Sequence, residues 1–233
     1  MSAVLVTGGA RGIGRAIALR FAVAGAAVTV CGRTAPREKL PGVHFVACDV
    51  ADAAQVKALF ARLDALEVLV NNAGVGGENR LDAADDEDWH RIIATNLTGS
   101  YLCSKAALGL LPDESGRIIN IASVLGLRGV PGATAYCAAK HGVVGFTRAL
   151  ALELAPRRIT VNAICPSWVK TDMAEARWQE VGMSERDAAA QMPTGRITTP
   201  EEVAAAAAYF ASREAGNITG QTLTLDGGAI VGA

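Results

Sequence analysis

The stretch Ala3-Val4-Leu5-Val6-Thr7-Gly8-Gly9-Ala10-Arg11-Gly12-Ile13-Gly14 decides how the rest of the chain is read. Four apolar residues run straight into a glycine cluster, and a segment of helical length, 13–24, follows at once. A short apolar run without polar alternation is what a strand covered on both faces looks like. Glycines at 8, 12 and 14 permit a tight turn and close backbone approach. The helix they open offers unpaired N–H groups and the positive end of its dipole to an anion. A glycine cluster alone also marks plain strand-to-helix turns. Its place at the first strand–helix junction favours a dinucleotide pyrophosphate site on Gly8, Gly12, Ile13 and Gly14. The spacing is GxxxGxG rather than the usual GxGxxG.

Working outward, apolar runs rich in Val and Ile recur at 27–30, 44–47, 68–70, 117–121, 159–164 and 222–225. Candidate helices lie between them at 53–63, 89–110, 135–154 and 201–210. The last has a clean start, with Thr199 as N-cap, Pro200 at the first helical position and Glu202 closing a capping box. Alternation of strand and helix predicts a doubly wound α/β fold of Rossmann type, a central parallel sheet of about seven strands flanked by helices. No linker or repeat interrupts it, so 1–233 reads as one domain, with a cofactor half to about 115 and a catalytic and substrate-lid half from about 116. The connection 33–43, which carries Pro36 and Pro41, is close to the lower limit for a parallel crossover. A loop or one helical turn is expected there.

Composition bounds the function. A chain of 233 residues buries roughly three quarters of its unfolded surface and needs no disulfide or metal staple. With 51% hydrophobic and 19% charged residues it is not a disordered chain. A net charge of −1 gives no electrostatic footprint for nucleic acid or an anionic membrane. Mean hydropathy is high at +0.27, yet no apolar run reaches the roughly 18 residues of a membrane span. The N-terminus lacks the basic start and apolar stretch of a signal peptide, so a cytoplasmic protein is expected. Cys31, Cys48, Cys103, Cys137 and Cys165 form no CxxC pair and read as buried free thiols in a reducing compartment. His44, His90 and His141 lie in three different elements without metal-ligand spacing, so no metal is expected. The acids Asp82, Asp85, Asp86, Glu87 and Asp88 read as charge favoured by a helix N-terminus rather than a metal site.

What ends the second strand selects the dinucleotide. An acid there would bind the ribose 2′-hydroxyl of NAD, and an arginine the 2′-phosphate of NADP. The sequence is Val30-Cys31-Gly32-Arg33-Thr34, without an acid, and a second cation, Arg11, lies in the glycine loop. Two guanidiniums suit a dianionic phosphate, so NADP(H) is favoured over NAD(H).

A second constellation is Tyr136-Cys-Ala-Ala-Lys140. Spacing i, i+4 puts phenol and ammonium on one helix face. A tyrosine of ordinary pKa about 10 transfers protons poorly at neutral pH until a nearby positive charge stabilises its phenolate. Such pairs also arise by chance on helix surfaces. Ser123, however, follows the run 117–121, where a strand end faces the ligand crevice and a hydroxyl can bond a substrate carbonyl. Three independent features then converge on one crevice.

These motifs resemble the short-chain dehydrogenase/reductase family from Val4 to Gly228. They are TGGARGIG (7–14), CDV (48–50), NNAG (71–74), TNLTG (95–99), GRIINIAS (116–123), YCAAK (136–140), VNAICPSWVKT (161–171) and GQTLTLDGG (220–228). The resemblance implies that Asp49 and Val50 hold the adenine and that Asn72, Ala73 and Gly74 support the central strand beside the cofactor. It implies a catalytic tetrad of Asn96, Ser123, Tyr136 and Lys140. Lys140 would also bind the nicotinamide ribose next to Tyr136, and Val169 and Thr171 the carboxamide. Segment 173–193, with Trp178, Met183 and Met192, corresponds to the family's substrate lid. Two departures stand out: Pro166-Ser167 replaces the family's Pro-Gly, and the 33–43 crossover is shortened.

At subfamily level the chain is similar to 3-oxoacyl-[acyl-carrier-protein] reductases and polyketide ketoreductases. An NADPH-dependent ketoreductase acting on a ketone, foremost a 3-oxoacyl thioester, is therefore expected, with Tyr136 as proton donor, Ser123 orienting the carbonyl and Asn96 holding a relay water. The alternative is an NAD(P)+-dependent dehydrogenase of a secondary alcohol or hydroxyacyl thioester. A non-catalytic cofactor-binding sensor would be expected to lose the Tyr or Lys, and all four positions are filled here. Family likeness also implies a homo-oligomer, a tetramer or a dimer, packed through 89–110, 135–154 and a C-terminal strand 225–233.

Overall fold

Seven parallel strands form a single sheet in the order β3-β2-β1-β4-β5-β6-β7. The computed structural model describes residues 2–77, 80–82 and 86–231. The strands are β1 (Ala3–Thr7), β2 (Ala27–Gly32), β3 (Val43–Ala47), β4 (Val68–Asn71), β5 (Arg117–Ile121), β6 (Thr160–Pro166) and β7 (Thr222–Leu225). Every residue of β4, β5 and β6 is buried, so their sequence is largely apolar without alternation, and the polar Asn71, Arg117, Asn120, Thr160 and Asn162 are buried among the rest. The helices are α1 (Gly12–Val23), α2 (Ala53–Phe60), α3 (Asp86–Ile93), α4 (Gly99–Ala107), α5 (Thr134–Leu154), α6 (Asp172–Glu180), α7 (Glu185–Ala190) and α8 (Pro200–Ala211).

Two cores follow from the pleat. One face of the sheet packs α2, α4 and α5 through Val56, Leu59, Ala107, Leu150 and Leu154. The other packs α1 and α8 through Ile17, Phe21, Val203 and Phe210. Strand order reverses between β1 and β4, so the crevice at their C-terminal ends is the topological switch point where such sheets bind ligands.

Several expected boundaries move. The run 89–110 is not one helix: α3 starts at Asp86, a π-helical turn spans Ala94–Thr98, and α4 ends at Ala107. The 33–42 connection holds no helix. Its two prolines and short reach leave bends and a turn, with Leu40 buried at 3% exposure as its hydrophobic plug. Beyond Leu225 the chain makes turns rather than the expected strand, hung on Asp226, whose carboxylate accepts from the Gly228 and Ile230 amides. Gly232 and Ala233 lie outside the described residues. Asp86, Glu87 and Asp88 fill the first turn of α3 and Asp82 pairs with Arg80, whereas Asp85 is outside the described residues. The capping box at α8 is present as the sequence predicts. All five cysteines are free. Among the described residues no helix is long and apolar enough to cross a membrane, and no cluster of His, Cys, Asp and Glu could hold a metal.

Candidate active site

The glycine loop is hung on β2 and braced from β4. The Gly8 and Gly9 amides donate to the Cys31 carbonyl at 2.8 and 3.3 Å. Asn72 donates through Nδ2 to the carbonyls of Thr7 and Gly8 at 2.9 and 3.2 Å, and the amides of Asn72 and Ala73 donate to Thr7 Oγ1. A Cβ on Gly8 would lie 2.8 Å from the Ala73 Cα, and one on Gly14 would collide with the Gly8 carbonyl. Gly12, at φ +53°, needs the left-handed conformation that glycine adopts without strain. Across the crevice Thr171 reaches within 3.3 Å of where a Gly12 Cβ would stand.

The start of α1, like those of α4 and α5, carries no side-chain cap. Asp52, Thr171, Ser184 and Thr199 cap α2, α6, α7 and α8 with side-chain oxygens. Arg11, at the N-cap of α1, is extended and makes no such bond. Backbone amides left without a side-chain cap beside a cradle that only glycine fits suit the pyrophosphate of a dinucleotide. Ile13 lies in the first turn, partly buried. Arg11, in the loop, and Arg33 and Thr34, just beyond β2, are exposed.

Asp49 and Val50 follow β3. The Asp49 carboxylate accepts from the Ala51 amide at 3.0 Å, and its own amide donates to Gln55 Oε1. Val50 is buried against Gly99, where any Cβ would press on it. Val169 is buried and bridged to Thr198. Thr171 donates to the Val169 carbonyl and caps α6. The Ser167 amide donates to the Leu225 carbonyl at 3.0 Å, so the Pro166-Ser167 departure leaves the backbone turn anchored to β7.

Ser123, Tyr136 and Lys140 meet at the end of β5. Ser123 is extended beyond the strand, and its Oγ accepts from the Leu125 amide at 3.1 Å, capping the 3-10 turn Val124–Gly126. Tyr136 shares a hydrogen bond with Ser123. The Lys140 ammonium stands 5.6 Å from the Tyr136 ring centroid and donates to the Ile121 carbonyl at 2.8 Å. Burial pushes the Tyr136 phenol up to about 12, an effect the Ser123 bond opposes. Burial draws Lys140 down to about 8. The phenol is thus a proton-bearing acid at neutral pH, next to a cation held at the edge of losing its charge.

Asn96 sits in the π-helical turn and is buried. Its side chain grips the loop after β4 at both ends: Oδ1 accepts from the Val75 amide at 2.8 Å and Nδ2 donates to the Val75 carbonyl at 2.9 Å. Gly74 leaves room for that grip, since a Cβ there would lie 3.0 Å from Asn96 Oδ1. The Asn96 main-chain carbonyl already accepts from Ser100 Oγ at 3.2 Å and has a second lone pair free for a water.

Other supporting residues escape a reading of motifs. Thr7 joins the loop to Asn72, and Ile121 holds Lys140 through a backbone atom that no sequence pattern marks. Gly126 lets the turn press on α5, where a Cβ would stand 2.6 Å from the Lys140 carbonyl. In the segment 173–193, Trp178 and Met192 are buried. Trp178 packs edge-to-face on Trp168 at 5.8 Å, in a small core with Ala174, Met183, Ala188 and Ile197. Met173 instead faces the loop after β4, its sulfur 3.9 Å from where a Gly76 Cβ would be.

Comparison with known proteins agrees with this geometry. A family model described as enoyl-(acyl carrier protein) reductase matches residues 8–229. The chain is 42% identical to the 3-oxoacyl-[acyl-carrier-protein] reductase FabG of Vibrio harveyi, covering 96% of this chain and 95% of that one. It is 39% identical to a 3beta-hydroxysteroid dehydrogenase of Mediterraneibacter gnavus, over 97% and 93% of the two chains. A variant of actinorhodin polyketide ketoreductase, solved with NADPH, superposes at a TM-score of 0.91 with 38% identity, over 98% and 97%. The chain belongs to the short-chain dehydrogenase/reductase family and is an oxidoreductase.

Proposed function

We propose that the protein is an NADPH-dependent ketoreductase that uses Tyr136 as its proton donor. The observation that carries this reading is the meeting of Tyr136, Ser123 and Lys140 at a strand end that opens on the glycine loop. NADPH, when bound, supplies the hydride. Ser123 donates to the substrate carbonyl oxygen and holds it beside the phenol. Tyr136 passes its proton to that oxygen as negative charge develops there. Lys140, fixed by Ile121, stabilises the phenolate left behind and binds the ribose hydroxyls. The Asn96 carbonyl holds the water from which the proton is restored. The glycine loop, with Asp49, Val50, Val169 and Thr171, seats the dinucleotide, and Arg11, Arg33 and Thr34 grip its 2′-phosphate. A 3-oxoacyl thioester is the foremost substrate class, after the relatives named for that reaction.

Tyr136→Phe tests the assignment. The variant should lose turnover by about a hundredfold or more, the size of a positioned general acid, while NADPH titration of its fluorescence stays as in the wild type. Retained turnover refutes Tyr136 as the acid. Arg33→Ala tests the cofactor: a preference for NADPH over NADH in wild type should be lost in the variant, and equal binding of both by the wild type overturns the choice.

A second reading, oxidation of a secondary alcohol, is favoured by the steroid dehydrogenase relative. Turnover with NAD+ and a hydroxysteroid exceeding that with NADPH and a ketone would establish it. Self-association also belongs to this proposal. The outward face of α5 exposes Ala138, Gly145, Ala149 and Leu152 at helical spacing, an apolar stripe that a second copy of the chain would cover.

A further inference from the structure

Three thiols meet beneath the glycine loop. Cys31 belongs to β2, Cys48 follows β3 and Cys103 comes from α4, and all are buried in one apolar cluster. Strands β2 and β3 pair with Cys31 opposite Val46 and Gly32 opposite Ala47. The Cys48 amide extends the ladder, donating to the Gly32 carbonyl at 3.0 Å. Residues two apart share a face, so Val46 and Cys48 both turn to the side that holds Cys31. There the Cys31 and Cys48 thiols hydrogen-bond each other. The proton is not evenly shared. Cys31 keeps it, held up by that bond and by burial, while accepting the bond draws Cys48 below the ordinary thiol range. Burial pushes Cys103 up to about 12. Cys48 is therefore the nucleophile of the three, because the thiolate is the reactive form.

We propose that a hydroperoxide joins Cys31 and Cys48 in a disulfide, and that this bond weakens binding of the dinucleotide. The Cys48 thiolate attacks one peroxide oxygen; the O–O bond breaks, and Cys48 becomes a sulfenic acid as hydroxide leaves. The Cys31 sulfur then attacks the sulfenic sulfur, the S–S bond forms, and the S–O bond breaks to release a second hydroxide. The protons of the two thiols convert both hydroxides to water. Two thiols lose two electrons and two protons, and one peroxide becomes two waters.

The link between bond and binding is mechanical. Strands about 4.8 Å apart, with a rise of about 3.3 Å per residue, put a diagonal pair roughly 8 Å apart at Cα. A disulfide spans about 4.4–6.8 Å. Closing it draws the end of β3 toward β2. β3 is one of the sheet's two edge strands and is tied on by the helix-free connection 33–42, so local opening there costs less than in the central strands and would admit peroxide to the buried thiols. The Cys31 carbonyl that would move carries the Gly8 and Gly9 amides. Arg33 lies two residues beyond it, and Asp49 and Val50 follow Cys48. The coupling rests on the reading above that these residues hold the adenosine end.

The test uses the full chain with hydrogen peroxide, blocking of remaining thiols with iodoacetamide, peptide mapping without reductant, and NADPH titration before and after. A peptide joining Cys31 to Cys48 is expected. The NADPH dissociation constant should rise about tenfold, a usual size for coupled sites, and dithiothreitol should restore it. In Cys48→Ser, and in Cys31→Ser as a second variant, peroxide should produce neither the linked peptide nor a change in affinity. No link, or a link from Cys48 to Cys103, overturns the disulfide. The correct link with unaltered affinity overturns the coupling. Reduced wild type that binds NADH as well as NADPH instead faults the cofactor reading and leaves the peptide map to stand.

Discussion

Lys140 meets two opposed demands. In the proposed mechanism its charge would stabilise a Tyr136 phenolate, and its burial resists that charge, drawing it from 10.5 to about 8. In the folded chain without cofactor this difference costs about 3 kcal/mol wherever both folded and unfolded states carry the proton, that is below about pH 8. Above that pH the folded state releases its proton while the unfolded state keeps it up to 10.5, so stability rises across this window. Lys140→Met has no such proton. Urea unfolding should show wild type gaining about 3 kcal/mol relative to the variant between pH 7 and pH 10.5. A pH-independent difference would show that the ammonium is hydrated rather than buried. The same deprotonation should lower kcat/KM for reduction above about pH 8, where Tyr136 keeps its proton but loses its charged neighbour.

At the scale of elements, the site depends on how a short turn meets a long helix. The turn Val124–Gly126 follows Ser123, and α5 carries Tyr136 and Lys140, so the distance between turn and helix sets how the three proposed catalytic side chains meet. Gly126 is the contact point: its missing Cβ leaves 2.6 Å to the Lys140 carbonyl, closer than real Cβ atoms approach backbone. Gly126→Ala must part the turn from α5, because neither neighbour is a flexible side-chain end. Turnover should fall by about tenfold to a hundredfold, as small misplacements of reacting groups do, with a smaller loss of NADPH affinity, because Lys140, proposed to bind the ribose, is displaced while the glycine loop is not. Equal losses in turnover and affinity would argue for general unfolding instead. Sequence made the glycine loop, the strands and the Tyr-Lys pair legible, because each depends on local spacing. It left the π-helical turn hidden, since nothing near Ala94–Thr98 breaks the helical pattern. The turn becomes explicable only through the Asn96 grip on Val75, twenty-one residues away. The 33–42 connection was legible as short, but the burial of Leu40 within it depends on tertiary contacts that no local pattern marks. Segment 173–193 disclosed Trp178 and not its orientation, which is inward onto Trp168.

For the whole molecule the unresolved demand is the outer face of α5. Its inner side is packed through Val143, Val144, Thr147, Leu150, Ala151 and Leu154, as an amphipathic helix requires. Its outer side carries His141, Arg148 and Glu153 at its margins, yet Ala138, Gly145, Ala149 and Leu152 form an apolar stripe between them, with Leu152 77% exposed. Beside it on α4, Tyr101 is 44% exposed and stacks edge-on against Phe146. A helix apolar on both sides is a helix buried on both sides. Small residues along the stripe let a second backbone approach closely, so α4 and α5 of one protomer should pack on the same helices of another about a twofold axis. Sedimentation velocity of the wild type should therefore show a dimer or tetramer. Leu152→Glu places two carboxylates near that axis, and being exposed in the protomer it leaves the protomer's own core untouched. The variant should sediment as a smaller species with an unchanged far-ultraviolet spectrum. A wild type that sediments as a monomer, or a Leu152→Glu variant of unaltered size, would mean that the stripe is not the surface through which copies of this chain meet.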